Sequence, residues 1–243
     1  MALDRVTITG ADDSTDPSHL AELSNEFSFV EWGILVSSSR SGGQRFPKLD
    51  WLSRLYDTVL DFPHMNLSLH VCGQWVRDIC VGDWTPFVCN TGPIKDFVKR
   101  VQLNFHAYSH LLTPQFVPSA KWRCDEQGWQ LIFQCDGVND HLVSSAYDDG
   151  LDAVPLYDKS GGAGVVPAEW PIAMKGIYSG YAGGLGPDNL EEQLAAITTA
   201  ANGEMFWVDM ETKVRTPDDR ALDFAAVRKC LEIAAPHVVT HHV

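Results

Sequence analysis

Two glycine-rich stretches carry the residues best suited to chemistry: Leu156-Tyr157-Asp158-Lys159-Ser160-Gly161-Gly162-Ala163-Gly164 and Gly180-Tyr181-Ala182-Gly183-Gly184-Leu185-Gly186-Pro187. In each, a short apolar run ends in residues that let a backbone approach a ligand closely or take positive φ. Asp158 stands where the first run ends, and the glycines after it leave room for a ligand beside its carboxylate, as a general acid or base requires. The second stretch leads into Pro187-Asp188-Asn189, where proline suits a first helical turn and free amides suit an anion. A sugar-phosphate enzyme is what this combination suggests.

Other polar residues follow apolar runs in the same way: Thr9, Asp12 and Asp13; Ser39 and Arg40; His70 and Cys72; Asn104 and His106; Gln134 and Asp136; Ser179; and Asp209, Glu211 and Lys213. Strand alternation puts His70 with Cys72 on one face, and Asn104 with His106 on one face. Imidazole transfers protons near neutral pH with little tuning. His70, Cys72, His106 and Asp136 also offer nitrogen, sulfur and oxygen donors for zinc with one open position, although no short H-x-x-x-H motif accompanies them. Any one of these side chains could instead satisfy a neighbour's hydrogen bonds in a polar interior.

The elements that must position them alternate. Apolar or β-branched runs at 6–9, 29–36, 67–71, 101–105, 129–135, 153–157, 174–178 and 205–210 begin 21 to 38 residues apart, room for one helix and two loops each time. Segments 18–27 (with a serine cap), 51–62, 190–201 and 224–235 have helical composition or spacing. Prolines at 114, 118 and 171 predict irregular helices in the fourth and sixth connections. Eight such units predict an α/β fold, a single (β/α)8 TIM barrel over residues 1–243, whose active site lies at the carboxyl ends of the strands.

Composition narrows the partners. With 18 basic and 32 acidic residues the formal charge is −14, so nucleic acid and anionic membrane surfaces are repelled on average. No apolar stretch is long enough for a membrane span and no signal-peptide core follows Met1, which predicts a cytoplasmic protein. The 6 cysteines form no C-x-x-C pair and read as reduced.

The chain resembles phosphoribosylanthranilate isomerase, a (β/α)8 barrel enzyme. The similarity lies in Thr9-Gly10, Val101-Gln102-Leu103, Tyr157-Asp158 with its glycines, Ala182-Gly183-Gly184-Leu185-Gly186-Pro187-Asp188-Asn189, and Val208-Asp209. The resemblance implies an aldose–ketose (Amadori) rearrangement without an organic cofactor. Asp158 would be the acid that opens the sugar ring, and Arg40 would clamp a carboxylate. Gly162, Gly164, Gly183, Gly184 and Lys213 would hold phosphate. Where the family carries a cysteine base, this chain has Thr9, whose hydroxyl is no base without a partner. Asp12, His70 and His106 are the substitutes, with Cys72, Asn104, Asp136 and Asp209 lining the substrate's place.

The expectation is therefore an isomerase-type acid–base enzyme on a small anionic, phosphorylated or carboxylated, sugar-like metabolite. The alternatives are a metal-dependent hydrolase or lyase at His70, Cys72, His106 and Asp136, and a silent metabolite-binding barrel.

Overall fold

The computed structural model describes residues 2–106, 108, 110, 112–160 and 163–239. Eight parallel strands close into a barrel in chain order. They are β1 (Leu3–Thr9), β2 (Val30–Ser37), β3 (Asn66–Cys72), β4 (Arg100–Leu103), β5 (Gln130–Cys135), β6 (Ala153–Tyr157), β7 (Ser179–Ala182) and β8 (Phe206–Met210). Around them lie α1 (Pro17–Glu26), α2 (Leu49–Asp61), α3 (Gln74–Cys80), α4 (Thr85–Asn90), α5 (Phe116–Gln127), α6 (Asp140–Asp148), α7 (Leu190–Ala201) and α8 (Phe224–Ala234). Among the described residues no helix is long and apolar enough to cross a membrane.

The main core sits between strands and helices, where outward residues such as Val6, Ile8, Leu67, Leu69, Val71, Phe133 and Val208 meet Leu20, Leu55 and Leu194. The helix starts follow ordinary capping chemistry. Asp16, not Ser18, caps α1 by accepting from the Ser18 N–H, with Pro17 in the first turn, and Asp223 caps α8 through the N–H groups of Ala225 and Ala226.

Inside the barrel, the residues on the alternate face of each strand divide into two halves. One is apolar: Ile132, Val154, Leu156, Ala182 and Trp207. The other is charged and centred on Glu31, whose Oε1 accepts from Arg100 Nη1 (2.9 Å) and Thr7 Oγ1 (2.9 Å) and whose Oε2 accepts from Arg5 Nη1 (3.2 Å). The Arg100 guanidinium also lies over the Trp207 ring, 4.0 Å from its centroid, and so joins the halves. Burial acts to raise the Glu31 pKa, but Arg100, Arg5 and the Thr7 hydroxyl outweigh it and hold the carboxyl below its ordinary range.

Strand seven lies later than the apolar run at 174–178 indicates. Its residues are Ser179–Ala182, paired with β6 through Leu156–Gly180 and Tyr157–Tyr181. The apolar run belongs instead to the preceding loop, where Met174 packs on the outer core. The true strand reads poorly because Gly180 must lack a side chain: a Cβ there would lie 2.3 Å from the Trp207 ring and 2.7 Å from Leu156 Cδ1.

The irregular connections differ in where their irregularity falls. Among the described residues, no helix lies between β6 and β7. After β4, the non-helical part ends at 115 and α5 is regular, because Pro118 falls in its first turn where its missing N–H has no intrahelical partner to lose. The connection from β3 to β4 is the broken one, carrying α3, α4 and a 3-10 turn at Gly92–Asp96.

Candidate active site

At the carboxyl ends of the strands lies an open cavity of about 710 Å3, lined by residues from β2 to β6, β8 and the loops that follow them. Its floor contains Asp158, directly after β6, and Asp209, inside β8, together with His70 from β3, Gln102 from β4 and Gln134 from β5. Beside it a recess of about 40 Å3 is lined by Asp158, Asp209, Glu211, Gly183, Gly184 and Lys213, among others.

The two aspartates are held differently. Asp158 Oδ2 accepts from Gln134 Nε2 (2.9 Å), and its Oδ1 accepts from the Ser160 hydroxyl (2.6 Å) and N–H (3.2 Å). Asp209 Oδ1 accepts from Thr9 Oγ1 at 2.8 Å, while Oδ2 lies 3.9 Å from His70 Nδ1. Burial drives the Asp209 pKa well above the ordinary carboxyl value against the Thr9 hydrogen bond, and Glu211, Asp158 and Glu31 add repulsion. His70 moves the other way. Buried, with Nε2 3.1 Å from Ser68 Oγ, its pKa falls to about 4, and the imidazole is neutral at physiological pH.

Thr9, where the resemblance implies a cysteine base, therefore serves Asp209. The close fit around it depends on Gly33, a residue no motif marks. A Cβ at Gly33 would stand 2.3 Å from Thr9 Oγ1 and 2.7 Å from His70 Cε1. The Gly33 backbone is held in register by Thr9 on one side and Ser68 on the other, so it has no room to retreat. Gly33→Ala is expected to turn Thr9 off Asp209 and cost about 1–3 kcal/mol. Thermal unfolding of the variant checks this.

The other sequence candidates fall into three groups. Arg40, Cys72, Asn104 and His106 line the cavity. Arg40 is an exposed rim residue stacked over Phe46, 5.3 Å from the ring centroid. His106 also sits at the rim, its Nδ1 3.3 Å from Asp136 Oδ2, and Asp136 mainly organises its own loop through the N–H groups of Val138 and Asn139. Cys72 Sγ accepts from Asn104 Nδ2 at 3.0 Å, and burial pushes its thiol up to about 11. Among the described residues no three His, Cys, Asp or Glu side chains are grouped to hold a metal, so His70, Cys72, His106 and Asp136 do not converge as ligands.

Asp12 is drawn away from the cavity into loop-to-loop ties. It accepts from Ser14, the Arg45 N–H (2.8 Å) and Arg215 Nη2 (3.0 Å). Arg45, in a left-handed conformation at φ 69°, sends its guanidinium to Glu211 (2.5 Å) and Asp219 (2.9 Å). Arg215 also donates to the Gly10 carbonyl and to Asp219. These arginines lock the loops after β1, β2 and β8 together, which leaves Arg40 as the freer cation on that side.

The glycine loops pack on each other. A Cβ at Gly184 would meet Val166 N at 2.6 Å and Gly164 O at 2.8 Å, and one at Gly183 would meet Val165 O at 2.9 Å. A side chain at Gly186 would collide with Lys213 Cβ at 2.4 Å. The β6 loop thus fills the close approach that Gly183 and Gly184 permit, and the chain after β8 enters a short 3-10 turn, Thr212–Val214. Gly164 and Lys213 line the recess, but so do three carboxyls; Gly162 lies outside the described residues.

No family model matches the chain. No curated protein matches it in sequence. Among solved structures it is similar to octameric ribulose-1,5-bisphosphate carboxylase/oxygenase (Rubisco) from Pyrococcus horikoshii OT3, with 13% identity, a TM-score of 0.51 and coverage of 97% of this chain. The chain spans 59% of the length of that structure. It is also similar to the tryptophan synthase complex from Pyrococcus furiosus, with 12% identity, a TM-score of 0.44 and 97% of each chain covered. At 13% identity the likeness to the Rubisco structure establishes the barrel fold and nothing finer.

Proposed function

We propose that this barrel is an acid–base enzyme of the aldose–ketose isomerase type, related in chemistry to phosphoribosylanthranilate isomerase but with its catalytic groups redistributed. The observation that carries the reading is the pair of aspartates on one cavity floor in contrasting surroundings: Asp158 among hydrogen-bond donors, Asp209 buried among other carboxyls. Two carboxyls so differentiated divide naturally into base and acid.

In this reading Asp209 is the acid and Asp158 the base, the reverse of what the resemblance implies for Asp158. Asp209 gives its proton to the ring oxygen as the C1–O bond breaks and takes one back from the C1 hydroxyl, yielding the open-chain aldehyde. Asp158 then takes the C2 proton while Asp209 protonates the C1 oxygen, giving the enediol; Asp158 returns its proton to C1 as the C2 hydroxyl gives its proton back to Asp209, completing the ketose. Neutral His70 contributes a hydrogen bond without a charge, and Thr9 positions Asp209.

The test is solvent exchange. In deuterated buffer, the protein is expected to place deuterium on the substrate carbon next to the carbonyl, seen by proton NMR across a panel of aldoses, sugar acids and sugar phosphates. Asp158→Asn is expected to slow that exchange by about 100-fold or more. A fully active Asp158→Asn protein would remove the assignment, and a ligand that binds at the mouth without exchange would favour the silent barrel.

A further inference from the structure

Two amide carbonyls at the cavity floor have no donor. Gln134 Nε2 donates to Asp158 Oδ2 at 2.9 Å. That donation fixes the amide and turns Oε1 away from Asp158. Gln102 Nε2 donates to Asn104 Oδ1 at 2.8 Å, and Asn104 is fixed in turn by its own donation to Cys72 Sγ. Both glutamines line the cavity and are no more than 5% exposed, yet neither Oε1 has a hydrogen-bond partner. The buried Ser37 hydroxyl, on the same cavity, also has no hydrogen-bond partner.

A buried acceptor without a donor costs about 1–3 kcal/mol, so such atoms are kept where something supplies the donor. Hydroxyl groups would do so. A phosphate group, mostly dianionic and poor in donors at neutral pH, would serve them badly, and Asp158, Asp209 and Glu211 would repel it. The rim has the opposite character: Arg40 and Arg77 are exposed guanidiniums on the same cavity. Arg77 donates to Gln74 Oε1 and keeps Nη1 for a further acceptor.

We infer that the cavity takes an unphosphorylated sugar acid, whose hydroxyls donate to Gln102 Oε1 and Gln134 Oε1 at the floor while its carboxylate meets Arg40 and Arg77 at the rim. This rests on the reading of Asp158 as an ionised base, and it names the substrate class for that site. A carboxylate there suits a guanidinium fork, and the aldehyde end reaches the aspartates.

Isothermal titration calorimetry of the full chain with galacturonate, glucuronate, glucose, ribose 5-phosphate and inorganic phosphate tests it. A sugar acid is expected to bind about tenfold more tightly than glucose, and Arg40→Met is expected to erase that advantage. Gln102→Leu is expected to weaken sugar acid and glucose alike by about tenfold while leaving the melting temperature the same or higher. Arg40 is exposed, so its variant keeps the test readable if Gln102→Leu does not fold. Tighter binding of ribose 5-phosphate than of either sugar acid, no binding of sugar acids at millimolar concentration, or an Arg40→Met protein with the wild-type preference would each overturn the inference. Deuterium exchange into a sugar phosphate would overturn it while leaving the acid–base reading intact. Sugar-acid binding without exchange would do the reverse.

Discussion

Asp209→Asn is expected to abolish turnover while making the folded protein more stable at neutral and alkaline pH. Burial raises the Asp209 pKa well above its ordinary value, so the folded state keeps a proton that the unfolded chain has released. The associated stability is fully present below the ordinary carboxyl pKa and is lost as pH rises through the raised value. Above it, the protein carries a buried anion beside Glu211 and Asp158. Asparagine keeps the Thr9 hydrogen bond at Oδ1 and never ionises, so the stability gap between variant and parent should widen with pH. Each kcal/mol of relief is worth roughly 2–4 °C of melting temperature in a domain of this size. Loss of the acid should lower the rate by about 100- to 10,000-fold. Melting curves from acid to alkaline pH, run beside the exchange assay, check both halves. A variant that is both inactive and destabilised at every pH would mean that Asp209 is a structural residue.

Glu31→Leu is expected to have the largest effect on stability. Glu31 is 1% exposed and answers both Arg100 and Arg5, and Arg100 is itself 2% exposed. Removing the carboxylate strands the Arg100 guanidinium inside the barrel, while the partly exposed Arg5 keeps its pair with Asp4, a loss of about 3–5 kcal/mol from a fold whose total stability is of order 5–15 kcal/mol. Burial raises the Glu31 pKa, but Arg100 and Arg5 outweigh it, so its linkage has the opposite sign to that of Asp209. Its stability is present above the ordinary carboxyl pKa and is lost as pH falls through the lowered folded value. The double variant Glu31→Leu, Arg100→Met should recover part of the loss, measured by urea unfolding, because no Arg100 charge is then left uncompensated. A Glu31→Leu protein of parental stability would show that the network contributes nothing net.

Residues with a side-chain signal were legible before the fold was known, and those without one were not. Apolar runs with a regular spacing located seven strands to within a few residues, because each run faces the helix layer. β7 escaped because its inner face needs glycine at 180 to admit Trp207, while the apolar residues ahead of it belong to a packed loop. Asp158, Asp209, His70 and Thr9 could each be read as strand-end polar residues, but not that Thr9 would donate to Asp209 across a separation of 200 residues. Gly33 left no trace, since its contribution is the volume it does not fill. The tandem glycines were legible as close-approach positions, and what approaches Gly183 and Gly184 in the structure is the chain's own 164–166 segment. Asp12 looked like a base because a loop sequence carries no record of the partner loop; it accepts from Arg45 and Arg215 and is committed to ties between loops.

The most direct test of the central claim needs no substrate. With aspartate labelled at the side-chain carboxyl carbon, the Asp209 resonance is identified by its absence from the Asp209→Asn spectrum and followed against pH by carbon NMR. The expected result is a titration midpoint displaced well above the ordinary aspartate value of about 3.9. An Asp209 that titrates in the ordinary carboxyl range would contradict its assignment as the acid and, with it, the division of labour between the two aspartates.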